Sequence, residues 1–154
     1  MSRYFYGAIF ILITLIAIFL VYKTIPTESL ATTAEFGGVS LRMEYATTEI
    51  AREIGLGGRA SIPNDYGMLF VFPKEGKYGF WMKDMLVPID IFWLDSKGQV
   101  VSIASDVSTS TYPNVFYPST PAQYVLETIA GFASAHTIAT GTPLLLKNFP
   151  SVSE

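Results

Sequence analysis

The chain has no cysteine and a single histidine, His136, among its 154 residues. The absence of cysteine excludes disulfides, thiolate metal sites and a lipid anchor on cysteine. With one imidazole and no thiolate, the usual N/S zinc site cannot be assembled. No Gly-x-Ser-x-Gly elbow, phosphate-binding loop or dinucleotide fingerprint is present. We therefore expect no metal and no cofactor, and we interpret His136 as a helix-end residue near terminal carbonyls rather than a catalytic one.

Charged residues are also scarce, at 15% of the chain. Beyond Lys23 there are 8 Lys and Arg against 13 Asp and Glu, a formal charge of −5. An acidic domain does not attract the phosphates of nucleic acid or the headgroups of anionic lipid. We therefore expect no nucleic-acid partner.

Apolar residues make up half of the chain and are concentrated at one end. Residues 4–22, "YFYGAIFILITLIAIFLVY", run for 19 residues without a charge. As a helix they would span about 28 Å, close to the hydrocarbon core of a bilayer. A cleaved signal peptide is the alternative, with a candidate site at residues 29–31 ("SLA"), although this apolar run is longer than a usual signal core. We predict a single-pass signal anchor at residues 1–23, with the rest on the extracytoplasmic side (secreted if the signal is cleaved).

The exported part divides into a polar tether, residues 24–37, and a domain, residues 38–149. Residues 39–46 alternate like a half-buried strand, and residues 67–72 form a continuous apolar run typical of a strand buried on both faces. Further strands are predicted at 78–82, 88–95, 99–105 and 142–148, and residues 122–131 as a strand or a helix. The predicted fold is α+β and mainly β: a small barrel or sandwich of about six or seven short strands with one or two short helices.

A long loop is predicted at residues 106–121, which contain three prolines and no apolar period. It carries Tyr112, Phe116 and Tyr117. Three aromatic side chains on an exposed loop resemble a recognition rim, although a loop folded over the barrel mouth would explain them equally. Tyr117 is the loop residue that we predict to contact a ligand.

The order of motifs along residues 39–146 resembles the DUF192 (UPF0127) family. The specific blocks are "GMLFVF" at 67–72, "FWMK" at 80–83 and "YVLE" at 124–127. The remaining matching positions are Glu44, Ala46, Thr48, Glu49, Gly55, Leu56, Arg59, Pro88, Asp90, Ile91, Gly98, Val100, Val101, Ile103, Pro121, Ala122, Ala130 and Gly131.

The resemblance implies a small exported or membrane-anchored domain without an established activity, for which an envelope or glycan-binding role has been suggested. Three positions depart from the family pattern. Gly57 replaces a usual methionine, and Asp84 and Met85 replace a usual Asn-Thr pair. If that polar pair contributes to a site, the replacements alter its charge and its hydrogen bonding.

Four acids fall inside otherwise apolar elements, where an unpaired charge is costly: Glu44, Glu49, Asp90 and Glu127. Strand alternation alone would place Asp90 and Glu127 on a solvent-facing side. The alternative is that Arg59, Lys83, Asp90 and Glu127 converge at one end of the sheet as a charged network.

The two tryptophans lie on neighbouring strands. One of them is expected in the core, because a domain without disulfides needs large buried side chains. Core packing is the first expectation for Trp81, but its position beside Lys83 on one strand face also suits an exposed platform for sugar rings.

Three functions remain open on these residues. The leading hypothesis is a membrane-anchored extracytoplasmic binding or interaction module without catalysis. It would recognise an envelope glycan or a partner protein through Arg59, Trp81, Lys83, Asp90, Tyr117 and Glu127. The second is an envelope hydrolase that uses Asp90 and Glu127 as paired carboxylates. The third is a purely structural role for the charges, with the working surface elsewhere.

Overall fold

The computed structural model describes residues 32–152. The predicted signal anchor at residues 1–23 lies outside the described residues, as does most of the predicted tether. Across the described range, none of the helices has both the length and the apolar character needed to cross a membrane.

The described part of the chain contains nine strands, two short α-helices and one 3₁₀ turn. In chain order they are β1 (Thr33–Phe36), β2 (Val39–Ala46), α1 (Glu49–Ile54), β3 (Tyr66–Gly76), β4 (Phe80–Trp81), β5 (Ile89–Leu94), β6 (Val100–Val107), the 3₁₀ turn (Thr109–Thr111), β7 (Val115–Phe116), β8 (Ala122–Ile129), α2 (Phe132–Ala135) and β9 (Leu144–Leu145).

Seven of these strands form one sheet in the order β6-β5-β8-β3-β2-β1-β9. β2 and β3 are parallel, and the other neighbours are antiparallel. The sheet curls into a half-barrel. Where β6 begins, backbone hydrogen bonds of 3.0 and 2.7 Å join Val100 to Thr142 and Gly141, in the segment before β9. β4 and β7 form a separate two-stranded sheet.

The prediction of a mainly β domain with few short helices is confirmed, and several boundaries differ. Residues 33–36, predicted as tether, form β1, because Ala34 and Phe36 are buried against the sheet. The strand predicted at 78–82 shortens to β4, and the one at 142–148 shortens to β9. Thr48 caps α1, accepting a hydrogen bond of 3.1 Å from the Ala51 amide.

Both faces of the central sheet are covered by core. We call them the Phe92 face and the Glu127 face, after a residue on each. The Phe92 face packs against α2 and includes Phe36, Leu41, Leu69, Phe92, Leu126 and Phe132. The Glu127 face packs against the segments between the strands and includes Leu56, Met68, Phe70, Met82, Ile91, Trp93 and Val125.

Double coverage explains why β5 is buried at all six positions and β3 from Gly67 to Val71. The prediction that residues 67–72 are buried on both faces is therefore confirmed for the first five of them. It also corrects the solvent-facing interpretation of Asp90 and Glu127. Their side chains alternate correctly, but core residues pack over both faces of this sheet region, and the two residues are 0% and 4% exposed.

Candidate functional site

Asp90, on β5, is fully buried with its carboxylate held by backbone amides. Oδ2 accepts a 2.7 Å hydrogen bond from the Ala133 amide, and Oδ1 accepts bonds of 2.7 Å from Asp106 and 3.3 Å from Gly131. Two of these donors belong to the start of α2, whose N-cap residue, Gly131, has no side chain with which to cap it. Asp90 therefore ties the N-terminus of α2 to β5 and to the end of β6.

Glu127, on β8, is buried without such partners. Among residues 32–152, its carboxyl makes no hydrogen bond and no ion pair. Burial raises the pKa of the Glu127 carboxyl to about 8, and the positive charge of Arg59 offsets part of that rise. At neutral pH the carboxyl is therefore mostly protonated.

The sheet register separates these two carboxyls. Asp90 is paired directly with Thr128, and Ile91 with Glu127, so Asp90 and Glu127 point to opposite faces. The prediction that Asp90 and Glu127 converge in one charged network is therefore wrong. The paired-carboxylate hydrolase would require both groups in one cleft, and the register does not place them there.

The Glu127 face carries a cleft of about 650 Å³ between α1 and β4. Glu127 lies in its lining together with Trp81 and Lys83, so the structure brings three of the six predicted site residues together. The further lining residues are Glu49, Arg52, Glu53, Ile54, Gly55, Leu56, Phe70, Phe72, Pro73, Tyr78, Gly79, Phe80 and Met85.

An aromatic cluster forms one wall of this cleft. Phe72 stacks on Tyr78 with ring centroids 3.6 Å apart, and Phe80 meets Phe70 edge to face at 4.9 Å. Phe80 also contacts Trp93 at 6.1 Å. Such interlocked rings have few alternative packings, so the wall is a preformed surface.

Trp81 lies in the cleft lining with 45% of its surface exposed. The expectation that it packs in the core is wrong; Trp93, 1% exposed, is the core tryptophan. Trp81 is displaced from the main sheet because β4 pairs with β7. The ammonium of Lys83 lies 5.8 Å from its ring centroid, a cation–π contact.

Arg59 is held beside the cleft rather than in its lining. Its Nη2 donates to both carboxylate oxygens of Glu44, at 2.9 and 3.0 Å, and its Nη1 donates to the Tyr66 hydroxyl at 2.8 Å. The Tyr66 hydroxyl in turn donates to Glu44. The hydrogen bond from Arg59 is the main reason why the pKa of Glu44 is lowered. Arg59 thus acts on Glu127 through its charge, not through a hydrogen bond.

Tyr117 is 63% exposed in the segment after β7 and does not line the cleft. It packs on Gly79, where an added Cβ would lie 2.6 Å from both Tyr117 Cε1 and Val115 Cγ1. Gly79 itself lines the cleft. The segment predicted as a long loop therefore supplies β7 and an aromatic surface beside the cleft.

Two of the three departures from the family pattern, Asp84 and Met85, have local explanations. Asp84 has φ of +58°, a conformation that Asn and Asp adopt more readily than most residues. The Asn-to-Asp change there keeps a residue suited to the turn. Met85 is 9% exposed and lines the cleft, so the thioether makes the lining less polar than a hydroxyl would.

Sequence reasoning missed most of the cleft lining. Phe70 and Phe72 share a face of β3 with Met68, the cross-strand neighbour of Glu127, so alternation along β3 could have indicated them. Arg52 and Glu53 had no comparable signal, because the position of α1 over the sheet is a tertiary feature. His136 lies at the C-terminal end of α2, as predicted, with its ring 4.4 Å from Phe132. Within residues 32–152, no group of three His, Asp or Glu side chains is arranged to hold a metal ion.

Comparison with known proteins identifies the family. A profile of DUF192, a family described as "uncharacterized ACR", matches residues 31–146. The chain belongs to the DUF192 family. No curated protein matches this DUF192 chain.

Two solved structures share the fold. One, from Sinorhizobium meliloti 1021, is described as a candidate transcription regulator; it is 30% identical, with a TM-score of 0.66 over 68% of this chain and 81% of its own. The other, from Novosphingobium aromaticivorans DSM 12444, is a protein of unknown function; it is 26% identical, with a TM-score of 0.65 over 73% of this chain and 81% of its own. Both likenesses span most of the DUF192 domain.

Proposed function

We propose that this DUF192 protein is an extracytoplasmic binding module, anchored by residues 1–23, that recognises an envelope glycan in the Glu127 cleft and performs no catalysis. The observation that carries the proposal is the Glu127 carboxyl, which lines the cleft without a partner among residues 32–152. The carboxyl oxygens are therefore available to bond a ligand that enters the cleft.

The aromatic lining supports a glycan over other small ligands. Sugar rings present apolar C–H faces and polar edges, so they fit a site that combines an open aromatic face with a polar floor. Trp81 offers a half-exposed ring beside Lys83 and Glu127 offers the polar floor, while Tyr78 and Phe80 belong to the aromatic wall.

The binding test uses the full chain in detergent micelles, immobilised and exposed to peptidoglycan and envelope polysaccharides. We expect retention of a glycan, and a loss of affinity of about tenfold or more for Glu127→Ala and for Trp81→Ala, equivalent to about 1.4 kcal/mol each. Leu145→Ala is the matched control, because it removes an exposed apolar side chain from β9, which does not line the cleft.

Failure to retain any glycan would remove the proposed ligand class. Capture of a partner protein that depends on Glu127 and Trp81 would replace the glycan with a protein ligand at the same site. Equal binding by Leu145→Ala and Trp81→Ala would place the ligand elsewhere on the domain.

The anchor has a separate test. Residues 4–22 are uncharged and long enough to cross a bilayer as a helix. We expect the full chain to stay in membranes washed with alkaline carbonate, and residues 38–149 to be accessible to protease from the extracytoplasmic side. Release of the intact chain by carbonate would contradict the anchor.

A further inference from the structure

The formal charges of the side chains that line the walls of the Glu127 cleft sum to zero. Arg52 and Lys83 contribute two positive charges, and Glu49 and Glu53 contribute two negative charges. The Arg52 guanidinium is also engaged in hydrogen bonds within the protein: its Nη1 donates to the carbonyls of Thr47 and Val71 at 2.9 and 3.0 Å. The walls therefore select for neither an anion nor a cation.

The floor adds no full charge at neutral pH. Burial of Glu127 between its cross-strand neighbours Met68 and Ile91 favours the neutral carboxyl, and its pKa of about 8 leaves it mostly protonated at pH 7. A protonated carboxyl offers one O–H donor and one carbonyl acceptor. This pair matches a hydroxyl or an acetamido group better than it matches an ammonium.

We propose that the cleft takes an uncharged saccharide, and that Glu127 binds it as a neutral acid donating a hydrogen bond to a hydroxyl or acetamido oxygen. This inference rests on the proposed function and adds to it the charge class of the ligand and the protonation state of the binding residue. A carboxylate floor would instead select an amine, and such a ligand would drive a proton off Glu127 when it binds.

Other titratable groups surround Glu127 and must be separated from it in a pH experiment. Glu44 on β2 lies in the same cross-strand row, since Met68 pairs with both acids. The facing groups from the elements packed there are Arg59, Tyr66, Tyr78, Lys83, Glu49, Arg52 and Glu53. Because Glu127→Gln removes only one of these titrations, the difference between wild type and this variant isolates Glu127.

The experiment measures the affinity of the full chain for two matched probes between about pH 6.5 and pH 9.5. One is the neutral tetramer of N-acetylglucosamine; the other is the same tetramer with trimethylammonium groups, which stay cationic at every pH. We expect wild type to bind the neutral tetramer, and its affinity to fall about tenfold or more as the pH rises through 8.

The Glu127→Gln variant sharpens the result. Gln keeps a hydrogen-bond donor of the same shape, but an amide N–H donates less strongly than a carboxylic O–H. We therefore expect the variant to bind the neutral tetramer more weakly than wild type. We also expect its affinity not to fall with pH, because Gln does not titrate. Preference for the cationic tetramer, affinity that rises with pH, or abolition of binding by Glu127→Gln would overturn the neutral-acid role while leaving a binding cleft in place. Absence of binding to either tetramer would overturn this ligand class; the proposed function itself fails only if the wider set of envelope glycans is also not retained.

Discussion

Asp90 and Glu127 lie on neighbouring strands, one position out of register, and each is less than 5% exposed. Asp90 accepts hydrogen bonds from three backbone amides on the Phe92 face. Glu127 accepts none among the described residues and faces a cleft on the opposite side. Burial alone therefore does not distinguish a structural acid from a candidate binding residue, whereas the number of partners does.

The largest effect is expected at Asp90. Asp90→Ala leaves three amide donors without their acceptor, two of them at the start of α2, and we expect a loss of about 4 kcal/mol in the free energy of unfolding. Urea unfolding measures it. Asp95→Ala is the matched control, because the Asp95 carboxylate also accepts from two amides but in an exposed turn. Equal effects of the two substitutions would contradict the role given to Asp90.

Glu127→Gln should change the free energy of unfolding in the opposite direction, towards higher stability. Because folding raises the pKa of Glu127 from 4.5 to about 8, its contribution to stability is fully present below about pH 4.5 and is lost progressively as the pH rises from there through about 8. At pH 7 the variant should therefore be more stable than wild type by roughly 3 kcal/mol. At about pH 4 the two should differ little. A variant that is less stable at pH 7 would show that Glu127 has a structural partner after all.

Arg59→Ala should have an intermediate effect. It removes hydrogen bonds to Glu44 and Tyr66, but the pair is partly solvent-accessible, so we expect a loss of about 1 kcal/mol after screening. It should also raise the pKa of Glu127, because Arg59 is the positive charge that lowers it. Carbon-13 NMR of the labelled glutamates follows that pKa. Arg42→Ala, which breaks the exposed pair with Asp65, is the control and should leave Glu127 unchanged.

Trp81→Ala should have the smallest effect on stability, less than about 1 kcal/mol, because the ring is half exposed. Trp93→Ala is its comparison, since that side chain is buried and its Nε1 donates to the Tyr78 carbonyl at 2.9 Å. Thermal unfolding of both variants distinguishes them. A large loss for Trp81→Ala would indicate that Trp81 is needed for packing.

The sequence predicted the family, the mainly β class and the doubly buried block at residues 67–72, because continuous apolar runs report burial directly. It did not predict which acid was structural. Alternation specifies that Asp90 and Ile91 face apart, but it does not specify that Ile91 pairs with Glu127 or that both faces are covered. Those facts depend on strand order and register, which arise from contacts distant in sequence. The same limit applies to Trp81, whose exposure follows from the pairing of β4 with β7.

The protonation state of Glu127 tests the central claim most directly. Infrared spectra of the full chain carrying carbon-13 glutamate, recorded as a difference between wild type and Glu127→Gln, isolate this carboxyl. We predict a protonated carboxyl band at pH 7 that disappears as the pH rises through about 8 and shifts when neutral saccharide is added. An ionised Glu127 at pH 7, or a band that does not respond to bound saccharide, would contradict the account.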